Sequence, residues 1–324
     1  MNQLENTPFL PVTLEDEHYL SFMCRWAVLS GATNMARGIY SLIGKRPTYI
    51  TELMQPRFLS KLANSLPAFV DKKHFCHAHT QEKYAATLEL GDSQSDSVFP
   101  VAEAINSGFS EKHLRWCTGC AREDIASFGA AYWRNSHQDP RLVRCQKHGL
   151  PLLATCHMCK RKKTYVSQLS QPRANAECQY CSASLDNKIV RDLTPFQLWL
   201  EQLHHLANHG VQFNRHTLIP RINCVVEMHQ KEMKLKPRKS WIMPDKIFIN
   251  AFNSTRACDH FSYGEIPYAG LSSYSALKLS SLLNPDVQQP SVIYALLAWV
   301  FLSKEDRDTR FGFFADGQAV QVQL

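Results

Sequence analysis

No stretch of the 324-residue chain approaches the run of about 18 apolar residues that a bilayer-spanning helix requires, although 44% of its residues are hydrophobic. The segment from Met1 to Pro11 is polar, carries Glu5 and lacks a basic n-region, so neither a signal peptide nor a membrane span is expected. No period of about 20 to 50 residues recurs, which sets repeat architectures aside. G-x-S-x-G and H-E-x-x-H are missing. No acidic cluster has the form of a two-metal nuclease or transposase site, although Asp124, Asp139 and Glu201 could converge in a fold. Gly38 to Lys45 only approximates a nucleotide-binding loop: five residues separate its glycines instead of about four, Arg46 replaces the Mg²⁺-holding Ser/Thr, and no strand precedes it.

What is present is cysteine in pairs. Cys117/Cys120, Cys145/His148, Cys156/Cys159 and Cys178/Cys181 each enclose two residues, and all four pairs fall within 65 residues. A tetrahedral Zn²⁺ needs four soft or borderline ligands, and each such knuckle delivers two from one tight turn. Taken in chain order, the first two knuckles make a Cys₃His site with 24 residues between them. The last two make a Cys₄ site with 18 between, inside the usual zinc-ribbon range. A cross-braced pairing uses the same eight ligands and stays open, but the seven residues from His148 to Cys156 favour sequential sites closing on local loops. Both sites can recruit four ligands, whereas a catalytic zinc keeps one position for water, so two structural Zn²⁺ per chain are expected and no enzymatic activity. The remaining cysteines, Cys24, Cys76, Cys224 and Cys258, are scattered, which suits a reducing cytoplasm.

The fold is expected to be mainly α. Residues 14–29 place Tyr19, Phe22, Met23, Trp26 and Leu29 at helical spacing before Gly31, and helices at 34–43 and 56–66 end at Gly44 and Pro67. Three short helices with tight turns allow a helix-turn-helix. The polar run 91–97 reads as a loop or linker, and a zinc module follows. From Pro195 the pattern is helical again, with Gly210 as a stop and further helices at about 218–233, 245–252, 272–283 and 291–302. Asn284-Pro285-Asp286 forms a turn, and 292–302 is apolar nearly all round, so it should be buried. The expected division is 1–110, a helical, helix-turn-helix-like region; 111–190, a tandem zinc-finger module; and 191–324, a helical domain. Trp26, Trp199 and Trp299 are read as core, and His74, Cys76, His77 and His79 as a surface loop rather than a metal site.

The net charge is +7 with a pI near 8.8, a moderate lean towards a polyanionic partner. Lys160, Arg161, Lys162 and Lys163 follow Cys159 directly, so the knuckle would hold a basic tip suited to phosphate oxygens.

The residues between the knuckles carry a resemblance. Leu114-Arg115-Trp116-Cys117-Thr118-Gly119-Cys120, Asp124, Gly129, Tyr132-Trp133-Arg134, His137-Gln138, Pro140, Cys145, His148-Gly149 and Pro151-Leu152 together resemble the TniQ/TnsD family of transposon target-selection proteins. Glu17, Ser21-Phe22 and Arg25 are similar to that family's opening helix, so the likeness covers about residues 8–185. Thr118 departs from the family's usual proline and Arg141 from its usual glycine; both are turn positions and leave the ligands in place. Tyr132, Trp133 and His137 are expected to pack over the first zinc site, His137 as a hydrogen-bonded structural residue rather than a ligand.

The resemblance implies an adaptor that marks an insertion site for an AAA+ regulator and the transposase. In one branch the protein reads attachment-site DNA itself. In the other it sits as a homodimer on a CRISPR RNA-guided Cascade complex, where base pairing reads the target. The 135 or so residues after the zinc module and the moderate charge favour the Cascade-bound adaptor over a TnsD-like DNA-binding protein. The expected partners are Cascade with its crRNA, the AAA+ regulator, target DNA directly or through Cascade, and a second copy of the chain. The expected place is the cytoplasm, on the nucleoid when at the target.

Overall fold

Helix ends are set here by a few side chains that satisfy otherwise unpaired backbone groups. The computed structural model describes residues 11–53, 56–67, 70–80, 114–154, 158–159, 165–175, 177–178, 180–184, 192–208, 215–232, 242–257, 279–283, 291–303, 307, 314–315 and 318–319. The 91–97 loop, Cys156, Lys160 to Lys163, Gly210, Cys258 and the turn at Asn284 lie outside the described residues.

Helix α1 is Tyr19–Leu29, capped by His18, whose Nδ1 accepts from the Leu20 amide at 3.3 Å. It starts five residues later than the periodicity predicts, because the chain before it is committed elsewhere. Asp16 is left-handed at φ 56°, and Glu17 forms an antiparallel bridge with Arg134. Helix α2, Met35–Ile43, begins at Asn34, whose side chain accepts from the Arg37 amide, and ends at Gly44 with φ 66°. A Cβ on Gly38 would fall 2.3 Å from that of Ala27, so α1 and α2 approach closely only because this residue has no side chain. The glycines that mimic a nucleotide loop are thus a helix contact and a helix cap.

Three short helices follow: α3 (Ile50–Leu53), α4 (Pro56–Ser65) and α5 (Lys72–His79). The last corrects the expected histidine loop. Asp71 caps α5 through the His74 amide at 3.0 Å; Cys76 and His79 are buried, while His74 and His77 are exposed. Phe75 meets Phe22 edge-on at 5.7 Å, which gives the helix an apolar face to bury. Leu20, Met23, Trp26, Ile39, Leu53, Leu62 and Phe75 form the centre of this first core, and Val166 and Leu169 enter it from beyond the first two knuckles.

Helix α6 is Thr118–Phe128. The C-terminal region holds α7 (Pro195–Asn208), α8 (Arg215–Glu232), α9 (Ile242–Ser254), α10 (Leu279–Leu282) and α11 (Ser291–Phe301). Thr194 and Gln197 make a reciprocal capping box at the start of α7: the Thr194 hydroxyl accepts from the Gln197 amide, and the Gln197 carbonyl from the Thr194 amide. Val292 to Ala298 are buried, as an all-round apolar helix must be, against Phe196, Leu200, Ile222, Phe248 and Phe252. Trp26 and Trp199 are buried; Trp299 is half-buried, 5.5 Å from Trp199, with the Arg307 guanidinium 4.1 Å from its ring centre. The architecture is mainly α as expected, with a two-residue hairpin, β1 (Phe314–Ala315) and β2 (Gln318–Ala319), as an addition. No described helix is long and apolar enough to cross a membrane.

Candidate metal centres

Two backbone bridges bring the first two knuckles together. Trp116 pairs with Leu153, exchanging bonds of 3.0 and 2.8 Å, and Arg144 pairs with Pro151. Cys117 then occupies the cap position of α6 without capping it, so its sulfur is left for other partners, and Cys120 lies in the first turn. The second knuckle is a tight turn: Gly149 donates to the Cys145 carbonyl at 2.7 Å with φ 66°. Gly119 completes the fit. A Cβ there would lie 2.7 Å from His148 Cγ and 3.0 Å from its Nδ1, so the imidazole can lie against the helix start only over a glycine.

The ligand atoms of Cys117, Cys120, Cys145 and His148 all lie within 4.8 Å of one another. Cys120 Sγ is 3.6 Å from Cys145 Sγ, and His148 Nδ1 stands 3.6, 3.3 and 3.6 Å from the sulfurs of Cys117, Cys120 and Cys145. Zn–S bonds of about 2.3 Å and a Zn–N bond of about 2.05 Å at tetrahedral angles give edges of about 3.8 Å between sulfurs and about 3.6 Å from sulfur to nitrogen. Four of the six edges therefore already match a tetrahedral site, and the two between Cys117 and the other sulfurs are within 4.8 Å. Their proton chemistry agrees. Hydrogen bonds from Cys120 and Cys145 hold the Cys117 thiol far below its ordinary range, and the contact with Cys117 in turn pushes Cys120 and Cys145 up.

Around the cluster, His148 Nε2 donates to Glu123 Oε1 at 3.1 Å, leaving Nδ1 as the lone pair directed at the sulfurs. Lys147 at 2.5 Å and then His148 hold the Glu123 carboxyl below its usual range. His137 is buried and stands outside the four-atom cluster, its Nε2 3.7 Å from Cys120 Sγ; burial lowers its pKa to about 3, so the ring is neutral. Tyr132 and Trp133 are buried beside it, and Trp133 packs edge-on to Trp116 at 5.7 Å.

The second cluster contains Cys159, Cys178 and Cys181 within the same limit, with the first two sulfurs 3.6 Å apart. A bridge between Glu177 and Ser184 shapes its hairpin, and the Tyr180 amide donates to Cys178 Sγ at 3.4 Å. The described ligands thus group in chain order. Cys156 lies outside the described residues, as do Lys160, Arg161, Lys162 and Lys163 of the expected basic tip.

The segment from 132 to 144 fastens the first cluster to the rest of the chain. Trp133 accepts from the His18 amide at 2.8 Å and donates its own amide to Ser21 Oγ at 3.0 Å. The Asn135 side chain donates to Ala78 and Thr80 carbonyls at the end of α5, and Gln138 binds both backbone groups of Arg115. On the other side, Asp139 is fully buried. Burial alone would push its carboxyl up, but the Arg141 guanidinium and His204 hold it well below the carboxylate range. Arg141 Nη2 and His204 Nδ1 each donate to Asp139 Oδ2 at 2.6 Å, Arg141 Nη1 reaches the Leu203 carbonyl at 3.3 Å, and Arg144 forks onto Glu201 at 2.7 Å. Asp124, Asp139 and Glu201 therefore do not converge; each faces its own arginine, Arg134, Arg141 or Arg144.

The sequence did not single out Gly119, Glu123 or His204. Only Gly119 carried a signal, as the small residue inside a knuckle. Thr118, where the likeness led to an expectation of proline, is the first residue of α6, a position that requires no amide partner from either residue. Arg141 turns out to be more than a turn residue, since it neutralises a buried acid.

A helical protein organised around two Cys/His clusters, each able to hold a metal ion, is the class that fold and sites define. The model of the TniQ family matches residues 8–152, from before α1 through both knuckles of the first cluster. The chain carries a TniQ domain over those residues, and that family implies a part in selecting the target of transposition. No curated protein matches the chain.

Proposed function

We propose that the chain is a non-catalytic adaptor that links an RNA-guided Cascade complex to an AAA+ regulator and a transposase, acting as a homodimer. The TniQ match over residues 8–152 is the observation that carries the reading. Charge favours the Cascade-bound branch. The net +7 is modest, and Arg25, Arg134, Arg141 and Arg144 are each engaged with an acid of the same chain rather than offered to phosphates. Both clusters hold structural zinc in this reading, the second completed by Cys156, and they stabilise a module between helical regions 1–110 and 191–324. The basic tip Lys160, Arg161, Lys162 and Lys163 contacts a nucleic-acid backbone.

The test is purification of the tagged chain with and without a crRNA-loaded effector complex, scored for bound DNA and metal. Co-elution at fixed stoichiometry with two zinc ions per chain is expected. Specific duplex binding by the chain alone, without co-elution, would replace this reading with that of an attachment-site DNA-binding protein.

A further inference from the structure

Two tyrosines from distant parts of the chain meet at the surface. Tyr49 and Tyr165 face each other across an antiparallel bridge, with Val166 donating to the Thr48 carbonyl at 2.9 Å. Their ring centres are 5.6 Å apart and the planes differ by 30°, yet the residues remain 46% and 47% exposed. Each therefore keeps nearly half of its surface in solvent. The pair is rigidly placed: the Glu52 carboxylate accepts from the Thr48 and Tyr49 amides, and Val166 is buried in the core beside α2. Lys45 and Arg46, both exposed, stand four and three residues before Tyr49. The run Lys160 to Lys163 stands before Tyr165 with only Thr164 between.

We infer that the Tyr49–Tyr165 pair is a stacking platform for single-stranded DNA, with Lys45 and Arg46 drawing its phosphates. Paired aromatic faces flanked by cations on a fixed scaffold are the combination that binds unpaired strands without reading sequence. At 5.6 Å the rings are too close to admit a base between them, which needs about 6.8 Å, twice the ~3.4 Å base spacing, so bases stack on the outer faces. The choice of DNA rests on the adaptor reading: guide RNA that invades a duplex leaves one DNA strand displaced, and a protein docked there meets it.

The test uses the zinc-loaded full chain and a fluorescein-labelled oligothymidylate, followed by anisotropy at several salt concentrations. Saturable binding is expected. Tyr49→Ala and Tyr165→Ala should each weaken it about 5- to 150-fold, the worth of one stacked base. Tyr49→Leu, which keeps apolar packing, should weaken it as alanine does, whereas Tyr49→Phe and Tyr165→Phe should stay near wild type. The Lys45→Glu/Arg46→Glu double variant should weaken binding and flatten its salt dependence. Zinc content and melting temperature verify that each variant folds. Absence of saturable binding, indifference to the alanine changes, or tighter binding to oligouridylate or to duplex of equal length overturns the inference. Co-elution with the effector complex needs no oligothymidylate, so the adaptor reading succeeds or fails separately.

Discussion

Replacing Gly119 by alanine adds one methyl group, and two lines of physics predict opposite signs for it. Gly119 is the second residue of α6, where alanine is favoured over glycine by about 1 kcal/mol. The same Cβ, however, would stand 2.7 Å from His148 Cγ. Ordinary carbon contacts lie at about 3.5–4.0 Å, so the ring must retreat by roughly 0.8 Å or more, against a tolerance of about 0.2 Å for a metal–ligand bond. His148 should leave the site. If the ~10–16 kcal/mol of a structural zinc site is shared among four ligands, losing one removes about 2.5–4 kcal/mol, or about 10²- to 10³-fold in affinity. Chelator competition read by a zinc indicator measures this, with thermal unfolding recorded with and without metal. The variant should lose its first-site metal at far lower chelator concentrations and melt lower when zinc-loaded, but should not be destabilised in excess chelator. Retention of two zinc ions at wild-type affinity would refute the assignment of His148 to the site.

Gly38→Ala should destabilise the N-terminal core by about 1–3 kcal/mol in urea unfolding, since its Cβ would overlap both the Cβ and the backbone Cα of Ala27, and Ala27→Gly in the same chain should recover little of the loss because that Cα stays 2.6 Å away. Asp139→Asn takes the carboxylate from buried Arg141 and from His204 and should cost about 3–5 kcal/mol; an unchanged urea midpoint would show that Asp139 does not hold α7 to the knuckle segment. Acid should weaken the fold through His18, whose pKa burial, and then His79, lowers from 6.5 to about 3. Because the folded value lies below the unfolded one, its share of stability is complete above about pH 6.5 and is lost as pH falls towards 3. The melting temperature should therefore drop across that window, and His18→Gln should reduce the slope.

The knuckles were legible because cysteine pairs at fixed spacing have few other uses, and the helices because apolar periodicity is local. Asn34, Gly44 and Pro195 marked their helix ends for the same reason. The start of α1 was not legible: periodicity extends back to Leu14, but the structure gives residues 16–18 to partners more than a hundred positions away, Trp133 to Ser136. Helix α5 was hidden by its histidines, polar by composition yet half-buried by the contacts of Phe75, Cys76 and His79. The contacts that reach α7, Asp139 with His204 and Arg144 with Glu201, could not be anticipated, because a charge shows its partner only when the chain is folded.

These long-range contacts also suggest why metal centres matter to a protein expected to do no chemistry. Between Cys120 and Cys145 the chain makes its bonds to α1 through Trp133, to α5 through Asn135 and to α7 through Asp139, Arg141 and Arg144. In an unfolded chain that loop would have to be closed at a cost in conformational entropy before any of these bonds could form. A metal ion held by both knuckles would close it at once, and the bonds would then form at the expense of local order alone. Metal binding at Cys117, Cys120, Cys145 and His148 would in this sense be coupled to the placement of three helices, none of which supplies a ligand, and a surface built on those helices would inherit its geometry from the cluster.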